Sequence, residues 1–194
     1  MNTVTRLLIA TGLILTATTA AAHTGHGAHA ESGFLSGLLH PMLGLDHLLA
    51  MAAIGFWSVR QNNTMKNATP VFVIGGMILG AGLAWGGLSL PGVEMGITFS
   101  VLVAGILIAT LAKIPTVLGG SIVGAFMLFH GFAHGTEMPA GVKLAAYLAG
   151  FSIVTLAVMF FGRVMGGLMM KADSRFSRGV GGVLAVVGGY LAAA

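Results

Sequence analysis

Phe129-His130-Gly131-Phe132-Ala133-His134-Gly135-Thr136-Glu137 closes an apolar segment that runs over 115–135. A helix needs roughly 20 apolar residues to cross a hydrocarbon core about 30 Å thick, and this segment supplies them. Spacing of i, i+4 and i+7 sets His130, His134 and Glu137 on one helical face. Ionisable side chains at membrane depth are costly, so a cluster of them marks a pathway or a ligand. A second string repeats the pattern inside another apolar stretch: His40-Pro41-Met42-Leu43-Gly44-Leu45-Asp46-His47. Together the two strings predict an all-α integral membrane protein that handles a metal ion.

Composition agrees. The chain is 56% hydrophobic and 7% charged, against about 25% charged in a soluble domain. Its 31 glycines among 194 residues suit close packing of membrane helices. With no cysteine, disulfides, thiolate metal sites and thiol nucleophiles are excluded. Lys and Arg are scattered singly over short loops, so the formal charge of +4 is no nucleic-acid signal.

The first 22 residues read as a signal peptide. Arg6 precedes an apolar run from Leu7 to Leu15, and Ala20-Ala21-Ala22 offers a cleavage site before His23. Residues 23–33 form a polar tail carrying His23, His26 and His29. The remainder, 34–194, reads as one domain of six spans, over 34–59, 70–90, 94–112, 115–135, 142–162 and 177–194. Pro70, Pro91 and Pro115 fall at the edges of these segments, where a missing N–H does least harm. Small pairs four residues apart, such as Gly76/Gly80, Gly120/Gly124 and Gly162/Gly166, predict close helix contacts.

Positive charge orients the spans. With the mature N-terminus outside, Arg60, Lys66, Lys113, Arg163, Lys171, Arg175 and Arg178 all lie on the cytoplasmic side and only Lys143 outside. Both polar strings then occupy the periplasmic half, level with Glu94 at the outer start of the third span. Three spans per half would run in opposite senses, the layout of a 3+3 inverted repeat. On an unbroken helix His40 and His47 share a face two turns apart, with Asp46 a third of a turn away. Pro41 and Gly44 predict either a distortion there or a helix that starts at Pro41.

At these strings the chain resembles the HupE/UreJ family of hydrogenase- and urease-associated membrane proteins. The likeness rests on His40-x5-Asp46-His47 and on Phe129-His130-Gly131-x-Ala133-His134-Gly135-x-Glu137, and it extends over the six-span body. It implies a secondary permease for nickel, with some relatives associated with cobalt, and places His40, Asp46, His47, His134, Glu137 and Glu94 on the metal path. Imidazole and carboxylate suit Ni(II), Co(II), Zn(II) and Cu(II) alike, so ligand type leaves the metal open. His130 joins the set by its spacing. Met42, Met51 and Met127 are weaker candidates, since methionine in such a chain is mostly packing.

The reading is therefore a non-enzymatic inner-membrane transporter with no permanently bound cofactor. Its cargo is Ni(2+), with Co(2+) or Zn(2+) as alternatives. Its partners are the metal ion and the bilayer, with oligomerisation left open. There is no phosphate-binding G-x-x-x-x-G-K-[ST] loop and no loop long enough for an ATPase domain. Because His ligands compete with protons, uptake should fall as the outside acidifies. The alternative is an intramembrane metal- or haem-binding protein or metalloenzyme. Against the enzyme, Gly131 stands where H-E-x-x-H needs its general-base Glu.

Overall fold

A computed structural model describes residues 33–171 and 173–193. The expected signal peptide with its cleavage site, and His23, His26 and His29, lie outside the described residues. Every described element is helical: α1 Gly33–Leu39, a 3₁₀ turn His40–Met42, α2 Leu45–Ser58, α3 Asn63–Trp85, α4 Val93–Ala109, α5 Thr116–Thr136, α6 Leu144–Lys171 and α7 Ser174–Ala193. Four of them, α3, α5, α6 and α7, are long and apolar enough to cross a membrane, which makes this a multi-pass membrane protein.

Of the other two expected spans, the first carries the distortion that Pro41 and Gly44 predict, and the third is shorter than expected. The first is broken: α1 and α2 meet at a bend of 81° and count as a fifth span only if taken together. Pro41 opens the break, and Gly44 takes an extended conformation (φ −96°, ψ 111°) that restarts the helix at Leu45. His40 and His47 therefore do not share the face of one straight helix. The third, α4, is a shorter apolar helix of 17 residues. It stops early because Leu111 adopts a left-handed φ of 56°. The N–H groups of Leu111 and Ala112 turn back to the carbonyls of Ile108 and Leu107 at 3.0 and 2.9 Å. That closure needs a left-handed residue, the place usually taken by glycine.

Pro70 is the other correction. It sits inside α3, not at its edge, because Asn62 caps the helix eight residues earlier by accepting from the Met65 N–H at 2.8 Å. A proline there leaves the carbonyl four residues back, Lys66, without its helical donor. The Arg163 guanidinium of α6 supplies one, donating to it at 2.6 Å.

Helices pair closely through glycine. On α3 and α5, a Cβ at Gly80 would meet the Leu128 carbonyl and one at Gly131 the Met77 carbonyl. The same holds for Gly55 against Met159 and Gly162 against Ala52 on α2 and α6, and for Gly105 against Ala185 and Gly181 against Ala109 on α4 and α7. Contacts rise together in number on the first two pairs, so those helices run parallel; on α4 and α7 they run opposite. Without a hydrophobic drive in lipid, such backbone proximity is what holds helices together. Large apolar side chains face both ways: Met51, Met65, Met77, Met127, Phe151 and Met159 are sealed in the core, while Val71, Val117, Phe161 and Val186 project outward.

Candidate metal centre

One cavity of about 300 Å³ collects the polar residues of the bundle. The break after α1 delivers His40, the first turns of α2 deliver Asp46 and His47, α4 delivers Glu94, and α5 and its end deliver His130, His134 and Glu137. All seven candidates from the sequence line this one space, together with Leu43, Gly44, Ile97 and Ala133. The bend is what makes this possible, since it swings His40 over the end of α5 instead of along α2.

The groups form two tiers. At the mouth, Nε2 of His40 lies 2.8 Å from Oε2 of Glu137. One ligand atom each from His40, His134 and Glu137 falls within 4.8 Å of the others, close enough to hold a single ion. Below, Nε2 of His134 lies 3.1 Å from Nδ1 of His47, and the His47 and His130 rings are 5.1 Å apart between centroids. His134 belongs to both tiers. The upper tier is open to solvent and the lower is buried: Glu137 is 54% exposed at its side chain, His130 1%.

The lower histidines are arranged as ligands in waiting. His130 donates from Nδ1 to the Phe126 carbonyl at 3.0 Å. That bond fixes the tautomer, leaving the Nε2 lone pair free, as a metal-binding imidazole requires. Nε2 of His130, Nε2 of His47 and Nδ1 of His134 are all buried without a hydrogen-bond partner. Buried polar atoms are nearly always paired, so three orphans round one cavity point to something that binds there. Asp46 holds a different post. Its Oδ1 accepts from the His47 backbone N–H at 2.8 Å, which steadies the first turn of α2.

Some residues carried no signal in the sequence. The Phe126 carbonyl is backbone, although its place four residues before His130 on a helix makes the bond unsurprising. Tyr147 reaches the His134 carbonyl through its hydroxyl at 3.4 Å. Trp85 donates to the Gly135 carbonyl at 3.0 Å and ties α3 to the site helix. The methionines do not join: Met42 is exposed, while Met51 and Met127 are sealed in the apolar core.

Known proteins give this arrangement its family. The HupE / UreJ protein model matches residues 11–191. The chain belongs to the HupE / UreJ family. Protein HupE of Rhizobium leguminosarum bv. viciae is 37% identical over 188 residues, which cover 94% of this chain and 96% of that relative. Among solved structures none matches significantly. Both polar strings of this HupE / UreJ family member lie within the matched residues, and the cavity is where they meet.

Proposed function

We propose that this family member is a permease carrying a divalent transition-metal cation, nickel by preference, from periplasm to cytoplasm to supply a hydrogenase or urease. The observation that carries the reading is the two-tier cavity: a solvent-facing pair of His40 and Glu137 leading to buried imidazoles that each keep one ring nitrogen without a partner. Carboxylates at the mouth, Glu94 and Glu137, draw a cation in and begin to replace its water. Neutral imidazoles below take it over, with His134 shared between the tiers. Moving between them exchanges one or two ligands at a time, so the ion is never stripped bare at membrane depth.

In this reading α1 with α2, and the short α4, complete six spans in the inner membrane, with the mature N-terminus and the cavity on the periplasmic side. The pairing of helices supports an inverted repeat. Numbering the bent pair as the first span, exchange of the first three spans for the last three turns the parallel pair α2/α6 into the parallel pair α5/α3 and maps the antiparallel pair α4/α7 onto itself. Such halves supply alternating access around a central site. The chain acts without chemistry of its own, and the metal is cargo.

Nickel-63 uptake tests this in cells that lack their own nickel importers. Wild type accumulates the isotope, and His130→Ala at matched membrane expression loses at least about 90% of it, as expected where a ligand or its support is worth tenfold or more. Metal that copurifies in fixed stoichiometry without any flux would instead mark a resident site.

A further inference from the structure

The metal cavity does not reach the far side of the bundle, and the residues beneath it form a closure. Three helices line the cavity and continue past it. Going inward, α2 presents Ile54 and Trp57 below His47, α4 presents Ser100 and Leu107 below Ile97, and α5 presents Phe126 and Val123 below His130. Between them lies a second void of about 10 Å³, scarcely the volume of one water. Its lining is apolar except for Ser100, whose hydroxyl is turned away to the Ile97 carbonyl at 2.6 Å. A divalent ion has no ligand there and no room for its water.

Past this constriction two loops are fastened together. Trp57 Nε1 and Gln61 Nε2 both donate to the Ala112 carbonyl, at 3.2 and 2.9 Å. The Ile114 N–H donates back to Gln61 Oε1 at 3.2 Å. Asn62 and Thr116 add a further bond at 3.0 Å. The segment so held directly follows Leu111 in its left-handed conformation, a state that costs a non-glycine residue energy and persists only where its surroundings impose it. Gln61 and Ala112 stand at the same end as Arg60 and Lys113, opposite the metal cavity.

We infer that Trp57 and Gln61, closed on the Ala112–Ile114 segment, are the inner gate of the transport path, and that the structure is its outward-open, inward-shut state. The inference rests on the permease reading for its purpose, though the gate itself can be read without any metal. Release of Ala112 and Ile114 lets the end of α4 move away from Trp57 and widens the constriction at Ser100. Gln61 is a positioning residue, since it touches the moving segment and not the ion.

The natural chain has no cysteine, so Ser100→Cys introduces a sole thiol inside the constriction. A membrane-impermeant thiol reagent is applied to inside-out and to right-side-out vesicles, with and without Gln61→Ala. The expected result is slow labelling from both faces in Ser100→Cys alone. Adding Gln61→Ala accelerates labelling about tenfold from the Gln61 face only, the effect of losing that side chain's two bonds to the Ala112–Ile114 segment. Unchanged labelling from that face, or equal acceleration from both, overturns the gate. Should Gln61→Ala fail to accumulate, Trp57→Phe removes one N–H while keeping the ring, and is judged by the same rates. Labelling needs no metal flux, so failure of wild type to move nickel would defeat the permease reading without altering this result.

Discussion

His134 Nε2 sits 3.1 Å from His47 Nδ1, which joins two helices far apart in sequence through a single shared proton. One nitrogen donates and the other accepts, so the pair is stable only while at least one ring is neutral. The same two rings are the link between the exposed mouth and the buried imidazoles.

His134 is therefore the most sensitive position. His134→Ala removes a ligand from both tiers and should weaken nickel binding by at least about 100-fold, against about 10-fold for Asp46→Asn, whose carboxylate steadies the His47 backbone. Equilibrium dialysis of purified protein in detergent measures both. Equal losses would mean that Asp46 ligates directly.

Glu137 contributes charge at the mouth. Glu137→Gln preserves shape and a hydrogen bond to His40, so the melting temperature should stay within about 2 °C of wild type, as for most exposed substitutions. The rate of metal entry should fall, and its dependence on ionic strength should weaken, because attraction of a cation by surface charge is screened by salt. A rate that keeps its full salt dependence would place the attracting charge elsewhere.

Arg163 and Pro70 should act as a pair. Arg163→Met strands the Lys66 carbonyl that Pro70 has already freed. Pro70→Ala restores a helical donor to that carbonyl, making the guanidinium dispensable there. In thermal melts the double variant should lose less than the sum of the singles, by a coupling of about 1 kcal/mol. Additive losses would show that Arg163 acts through its other contacts, Ser58 and the Phe160 ring.

Glycines of this chain divide by what stands opposite. Gly80→Ala drives a methyl into the Leu128 backbone and should cost about 1–3 kcal/mol. Gly75→Ala and Gly82→Ala meet open space and should be neutral or stabilising by a few tenths of a kcal/mol, given alanine's better helix propensity. Melting temperatures of the three variants test this directly. Similar losses at Gly75 and Gly80 would contradict the packing of α3 on α5.

Much of the site was legible in the sequence because histidine and carboxylate are conspicuous among apolar neighbours. The helical register of His130, His134 and Glu137 needed nothing more than the 3.6-residue period. The position of His40 was not readable in the same way. Pro41 and Gly44 announce a disturbance, but the angle of the bend comes from α1 and α2 both packing on α6, where Gly37 meets Tyr147 and Gly55 meets Met159. Pro70 misled because its local cost is offset by Arg163, nearly a hundred residues away. The early end of α4 at Leu111 was equally hidden, since leucine carries no signal for a left-handed cap. Trp57 and Gln61 offered no motif, and their role appears only once the α4–α5 loop is folded against them.

The central claim is that metal crosses the membrane through this cavity. Purified protein in sealed liposomes enclosing a nickel-sensitive dye, with nickel added outside, tests it most directly. The account predicts saturable entry with wild type, entry reduced at least about tenfold by His47→Ala, and slower entry as the outside is acidified, because protons compete with the metal for imidazole and carboxylate. Liposomes bearing folded wild-type protein that admit nickel no faster than empty ones would contradict it.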